Sequence, residues 1–173
     1  MDGQRIDPHF GSFAAFCADR GLGLTILSDG LDYYIARILR RHGISGVPFF
    51  ANRLDLIDVP GGGQRLRISF PHAEGAHTRY ACPKHLLMVT QAGDGDVIAY
   101  VGEGYSDRLP AEYADIVFAK DALQTWCQQR NISYHTYASF RDVHERCERL
   151  LARPRLRQRR EADMKRRALF IAE

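Results

Sequence analysis

Apolar residues in FGSFAAFCADRG, residues 10–21, recur at helical spacing and stop at Gly21, which predicts a first helix. LGLTILS, residues 22–28, is instead a continuous apolar run ending in small polar residues. That pattern predicts a strand buried on both faces, as in a parallel sheet. DGLDYYIARILRRHGI then reads as a helix entered through Asp29 and Gly30 and ended near Gly43. In residues 47–71 two β-rich runs flank Pro60, Gly61, Gly62 and Gly63, the signature of a hairpin with a loose turn.

HAEGAHTRYACP reads as loop, and PKHLLMVTQAG as a short helix opening at Pro83. DVIAYVGEG is another buried strand that runs into a glycine turn. Beyond it, PAEYAD predicts a short helix, IVFA a strand and ALQTWCQQRN a helix. ISYHTY reads as an edge strand, and SFRDVHERCERLLA as a helix capped by Ser139. Strands alternating with helices define an α/β domain with a mainly parallel sheet.

The 173 residues suit one domain, and 45% hydrophobic content allows an ordinary core. No run of 18 apolar residues and no signal-peptide pattern occurs, so the expected location is the cytoplasm, away from membranes. Cys17, Cys82, Cys127 and Cys147 form no CxxC pair, in keeping with reduced thiols. The formal net charge of +3 is uneven: from Arg153 onward there are eight Lys/Arg and three acids, which leaves residues 1–152 near −2. Residues 1–152 therefore read as the core domain and 153–173 as a basic C-terminal tail. The tail is read as a solvated end, the competing reading being a polyanion-binding arm.

Ligands of open α/β sheets bind beyond the carboxyl ends of the strands. Ser28 falls at one such end. With Asp29 and Gly30 it either binds a phosphate at a helix N-terminus or simply caps that helix. VGEGYSD supplies another, where Glu103 and Asp107 lie four apart around a glycine turn. They are candidate oxygen ligands for Mg²⁺, or ordinary acids of a solvated loop. Lys84 opens a helix, where a lysine opposes the helix dipole unless an anion sits nearby; otherwise it is an exposed lysine. His72, His77, Cys82 and His85 form a loose cluster without the paired spacings of structural zinc sites. Trp126, Tyr33 and Tyr34 read as packing residues.

LTILSDGLDYYIARIL, CPKHLL and VGEGYSDRLPAEYADIVFAKDAL, in this order, resemble the haloacid dehalogenase superfamily of phosphatases. Within it they resemble the phosphoserine phosphatase-like branch that includes phosphatases of methionine salvage. The likeness runs from about residue 6 to residue 150. It implies a Rossmann-like core with a small β-hairpin insertion, acting as a Mg²⁺-dependent phosphomonoesterase on a small phosphorylated metabolite. In that reading Ser28, Asp29 and Gly30 bind the phosphoryl group, Lys84 neutralises it, and Glu103 and Asp107 hold Mg²⁺. The hairpin is a candidate wall of the site.

Two departures qualify the expectation. Glu103 stands where the family usually has Asp, and the extra methylene moves the carboxylate by more than about 1 Å, which Mg²⁺ tolerates poorly. The family's DxDGT nucleophile motif has no match: Asp2-Gly3 follows no strand and Asp7-Pro8 leads into the first helix. The chain accordingly reads as lacking the family's N-terminal central strand and most of its cap. Little or no turnover is expected of it, the alternative being a non-catalytic module that keeps the fold. The absent strand would leave unpaired backbone groups costing roughly 1–3 kcal/mol each, against a net stability of about 5–15 kcal/mol. Self-association, a partner segment filling the gap, or direct pairing of the two flanking strands would relieve this.

Overall fold

The computed structural model describes residues 6–73 and 81–171. Asp2, Gly3 and His77 lie outside the described residues. Two compact units are formed: the first contains Ala14–Pro83, the second contains Asp7–Phe13 and residues 84–171. Helix α1 (Phe10–Asp19) contributes residues to both.

The first unit holds β1 (Ile26–Leu31), α2 (Asp32–Arg41), β2 (Phe49–Asp58) and β3 (Gln64–Ser69), with sheet order β1-β2-β3. β1 runs parallel to β2, and β2 antiparallel to β3. Gly61, Gly62 and Gly63 all adopt φ between 91° and 99°, a region closed to most L side chains, and this makes the predicted loose hairpin turn possible. The hairpin pairs Leu54 with Ile68 and Leu56 with Leu66 on one face, where Leu56, Leu66 and Ile68 are more than half exposed.

β1 departs from its expected form. It starts at Ile26, continues to Leu31, and none of its residues is buried. Among the described residues its ladder runs on one side, to β2. The strand does not end at Ser28, because Leu31 still pairs with Asn52. Asn52 also donates from Nδ2 to the Asp29 carbonyl at 2.7 Å, which keeps that backbone extended. The helix begins only at Asp32, whose carboxylate accepts the N–H groups of Tyr33 and Leu54 at 2.7 and 3.0 Å.

The second unit is built on an all-parallel sheet of order β4-β5-β6, from β4 (Ala99–Gly102), β5 (Ile116–Ala119) and β6 (His135–Thr136). Around it lie α3 (Lys84–Gln91), α4 (Arg108–Tyr113), α5 (Asp121–Gln129), α6 (Phe140–Leu151) and α7 (Arg160–Ile171). Val117, Phe118, Ala119, Leu123, Cys127 and Val143 are almost fully buried and form its core. The alternation of strand and helix and the parallel pairing agree with the Rossmann-like α/β expectation. At α6, the Asp142 carboxylate takes the N–H groups of Ala138 and Ser139 at 2.8 and 3.0 Å, and Asp7 takes that of Phe140 at 3.1 Å.

The basic end is not a solvated tail. Helix α7 docks beside α4, with Ala162 fully buried and Arg166 7% exposed. Arg166 forms a buried ion pair with Asp115 at 3.1 Å and donates to the Tyr113 carbonyl at 2.7 Å. Arg159 donates to the carbonyls of Ala111 and Glu112 at 2.9 and 2.7 Å. A six-residue helix such as α4 leaves most of its carbonyls without helical partners. Two arginines from the C-terminal segment supply donors to three of them. Charge counting along the chain treats these arginines as solvated, and their burial against Asp115 is a tertiary event it cannot see.

Candidate functional site: the acid turn after the fourth strand

β4 ends at Gly102, and the chain then makes a tight turn through a single 3-10 turn, Tyr105–Asp107, into α4. Glycine is required at 102 by space. A Cβ there would lie 2.7 Å from the Asp107 Cβ and 2.9 Å from a Tyr100 ring carbon. Without it, the Asp107 side chain folds back against the end of its own strand.

The Asp107 carboxylate is saturated. Oδ1 accepts from Lys84 Nζ at 2.9 Å and from the Tyr100 hydroxyl at 2.7 Å. Oδ2 accepts from the backbone N–H groups of Glu103 and Gly104, both at 2.9 Å. A carboxylate has about four acceptor positions, so each is matched by a donor. Burial acts to raise the pKa of Asp107. The Lys84 charge, the Gly104 N–H and the Lys84 and Tyr100 hydrogen bonds outweigh it and hold the carboxyl below the usual range.

Lys84 is 9% exposed, not a surface lysine. Its ammonium also donates to Ser106 Oγ at 2.9 Å. The anion that offsets its place at a helix start is thus a carboxylate of the same unit. Glu103, by contrast, is 59% exposed and pairs with Lys120 at 2.8 Å. The Lys120 ammonium also lies 5.2 Å from the centre of the Tyr137 ring. Its hydrogen bond to Glu103 is the main cause of a raised pKa, so it stays charged. The Tyr137 hydroxyl donates to the Gly102 carbonyl at 3.3 Å, and burial together with the charges of Glu103 and Asp107 pushes its pKa up.

The structure thus brings Lys84, Glu103 and Asp107 into one corner of the second unit. Ser28, Asp29 and Gly30 belong to the first unit, in a bulge of β1 rather than at a helix start. Between the pairs Leu27–Phe50 and Leu31–Asn52, these three residues of β1 oppose the single residue Ala51 of β2. Ser28 Oγ accepts the Gly30 N–H at 3.0 Å, and Asp29 and Gly30 are exposed. Ser28 lies ahead of α2, whose N-cap position is Leu31, so it does not cap that helix.

Residue-by-residue reading of the sequence missed Tyr100, Ser106 and Lys120. Tyr100 lay hidden in an apolar strand, where an aromatic reads as core. Lys120 lies 17 positions beyond Glu103, at the end of the next parallel strand, and only the register of β4 on β5, with Gly102 opposite Ala119, brings the two strand ends together. Of the loose His/Cys cluster, His72 packs its ring on Phe50 at 5.4 Å, and the His85 ring lies 5.4 Å from that of Tyr113. Among the described residues no group of three or more His, Cys, Asp or Glu could hold a metal ion. Trp126 is a packing residue held between Arg108 and Arg130, whose guanidinium carbons lie 4.9 and 4.7 Å from its ring centre.

The donor set does not fit Mg²⁺ as a two-carboxylate seat. Asp107 can ligate only by releasing one of its four donors, and Glu103 is already paired with an ammonium group. What the corner does offer is a desolvated lysine charge at the carboxyl end of a parallel strand, fixed by a hydroxyl and a carboxylate.

The parallel α/β unit is of the class that the sequence resemblance implies. No family model matches the chain. Among curated proteins it is similar to three bacterial enzymes named 2-hydroxy-3-keto-5-methylthiopentenyl-1-phosphate phosphatase. That of Exiguobacterium sibiricum is 30% identical over 140 residues, 80% of this chain and 61% of the relative. That of Brevibacillus brevis is 27% identical over 140 residues, with the same shares. That of Geobacillus kaustophilus is 30% identical over 149 residues, 84% of this chain and 64% of the relative. These relatives bear out the resemblance to haloacid dehalogenase-type phosphatases. The chain spans about three fifths of the length of the curated relatives it matches.

Proposed function

We propose that the chain is a phosphate-handling unit of haloacid dehalogenase type, taking a small phosphorylated metabolite of the kind its relatives' names describe. The observation that carries this is the buried Lys84 ammonium at the carboxyl end of β4, held by Ser106 and Asp107, in a chain whose relatives are named phosphatases. Phosphoryl transfer is catalysed mostly by positioning and charge neutralisation, and a desolvated, fixed ammonium supplies both. In this reading Lys84 offsets the phosphate charge, and Asp107 and Tyr100 hold the lysine in place.

No DxDGT motif occurs in these 173 residues. We propose that this chain hydrolyses p-nitrophenyl phosphate slowly or not at all. The saturation of Asp107 favours the companion reading, a module that keeps the phosphatase fold without turnover. Inorganic phosphate serves as the probe. It is expected to raise the unfolding midpoint of the chain, and Lys84→Met is expected to abolish that rise. Absence of any phosphate effect on the unchanged chain, or robust hydrolysis that survives Lys84→Met, overturns the assignment.

A further inference from the structure

We infer that Lys84 and Lys120 are the built-in counter-ions of the acid turn, and that the turn is closed without a divalent cation. This rests on the reading of residues 84–120 as the phosphate-handling corner and concerns its ion requirement alone.

Each acid of the turn has its own ammonium partner: Lys84 at 2.9 Å from Asp107, Lys120 at 2.8 Å from Glu103. The pair of carboxylates is therefore matched by a pair of lysines, and the local charge that would draw a dication is cancelled. Asp107 is closed further by geometry. Magnesium sits about 2.0–2.1 Å from its oxygen ligands in a near-ideal octahedron. To reach either oxygen of Asp107 it must displace Lys84, the Tyr100 hydroxyl, or an N–H of residue 103 or 104. Displacing Lys84 strands a buried ammonium, and displacing the N–H groups opens the turn itself. The Asp107 side chain packs against Gly102, where a Cβ would lie 2.7 Å from the Asp107 Cβ.

Glu103 is the one acid with room to move, and Lys120 is what restrains it. Lys120 is steadied by the Tyr137 ring and by the negative charges of Asp121 and Asp7. Asp7 is itself committed to the N–H groups of His9 and Phe140. The longer side chain of glutamate at this position reaches the lysine at the end of the neighbouring strand. Lys120 is thus a positioning residue that sets how the turn responds to metal.

Mn²⁺ titration of the full chain, following the free-ion resonance by electron paramagnetic resonance with Mg²⁺ as competitor, tests this directly. The unchanged chain is expected to leave the free Mn²⁺ signal nearly intact through the millimolar range, and its unfolding midpoint is expected to ignore both Mg²⁺ and EDTA. Lys120→Met, a change at a partly exposed position, is expected to raise Mn²⁺ uptake by roughly 2- to 5-fold, the scale of a partly exposed ion pair. Glu103→Gln in that background is expected to remove the gain. Saturable Mn²⁺ uptake by the unchanged chain that Mg²⁺ displaces and Glu103→Gln abolishes overturns the inference, as does an unaltered uptake in Lys120→Met. Metal uptake is read independently of phosphate binding, so the two assignments fail separately.

Discussion

Residues 28–30 and residues 102–107 both belong to the C-terminal part of a parallel strand or the turn beyond it, and both carry small polar and acidic side chains. They solve the same backbone problem in opposite ways. The first is a bulge whose hydroxyl satisfies its own neighbour's N–H, with Asp29 and Gly30 open to water. The second folds a carboxylate inward and satisfies it with four donors from three parts of the chain. A polar group left in water contributes little either way. A buried and fully paired one makes every partner count, because the loss of any donor leaves a buried acceptor unsatisfied.

The sharpest way to break this contrast is Asp107→Asn. It leaves the Lys84 ammonium buried without its counter-charge, and should cost about 3–5 kcal/mol in urea-induced unfolding. Gly102→Ala comes next. Its methyl group would collide with Asp107 and Tyr100, for an expected loss of about 1–3 kcal/mol on the same assay. Acidification should separate the two regions without mutation. The Asp107 pKa is depressed in the folded state, so its contribution is full above the unfolded value near pH 4 and is lost as pH falls below that value through the lowered folded one. Amide exchange followed from pH 6 to pH 3 should show protection falling at Glu103 and Gly104 while that at Gly30 stays level. The smallest effect is expected from Ser28→Ala, about 0.5 kcal/mol or less, because the group it frees is exposed and water replaces the hydroxyl. A loss at Ser28→Ala as large as that at Asp107→Asn would erase the distinction.

These differences also show which parts of the molecule a linear reading reaches. The hairpin was legible because three successive glycines between alternating runs have few other uses, and IVFA because a short apolar run between polar breaks fits a buried strand. The acid turn was legible as a turn, from its glycines, but its chemistry was not. The saturation of Asp107 depends on Tyr100 in the preceding strand and on Lys84, which lies 23 positions away and is brought near only by the packing of α3. The Ser28 bulge was invisible because Asn52, the residue that prolongs the strand, is supplied by another element. The C-terminal helix misled for a related reason: a lysine- and arginine-rich run looks solvated until its acid, Asp115, is found across the fold.

That last contact carries a consequence for the order in which the molecule can mature. During translation, every residue of the acid turn leaves the ribosome well before Arg159 and Arg166, which steady the small helix behind it. A nascent chain therefore holds an unfinished corner until Arg159 and Arg166 emerge, and a stop after residue 158 would release a chain that never acquires the fastening.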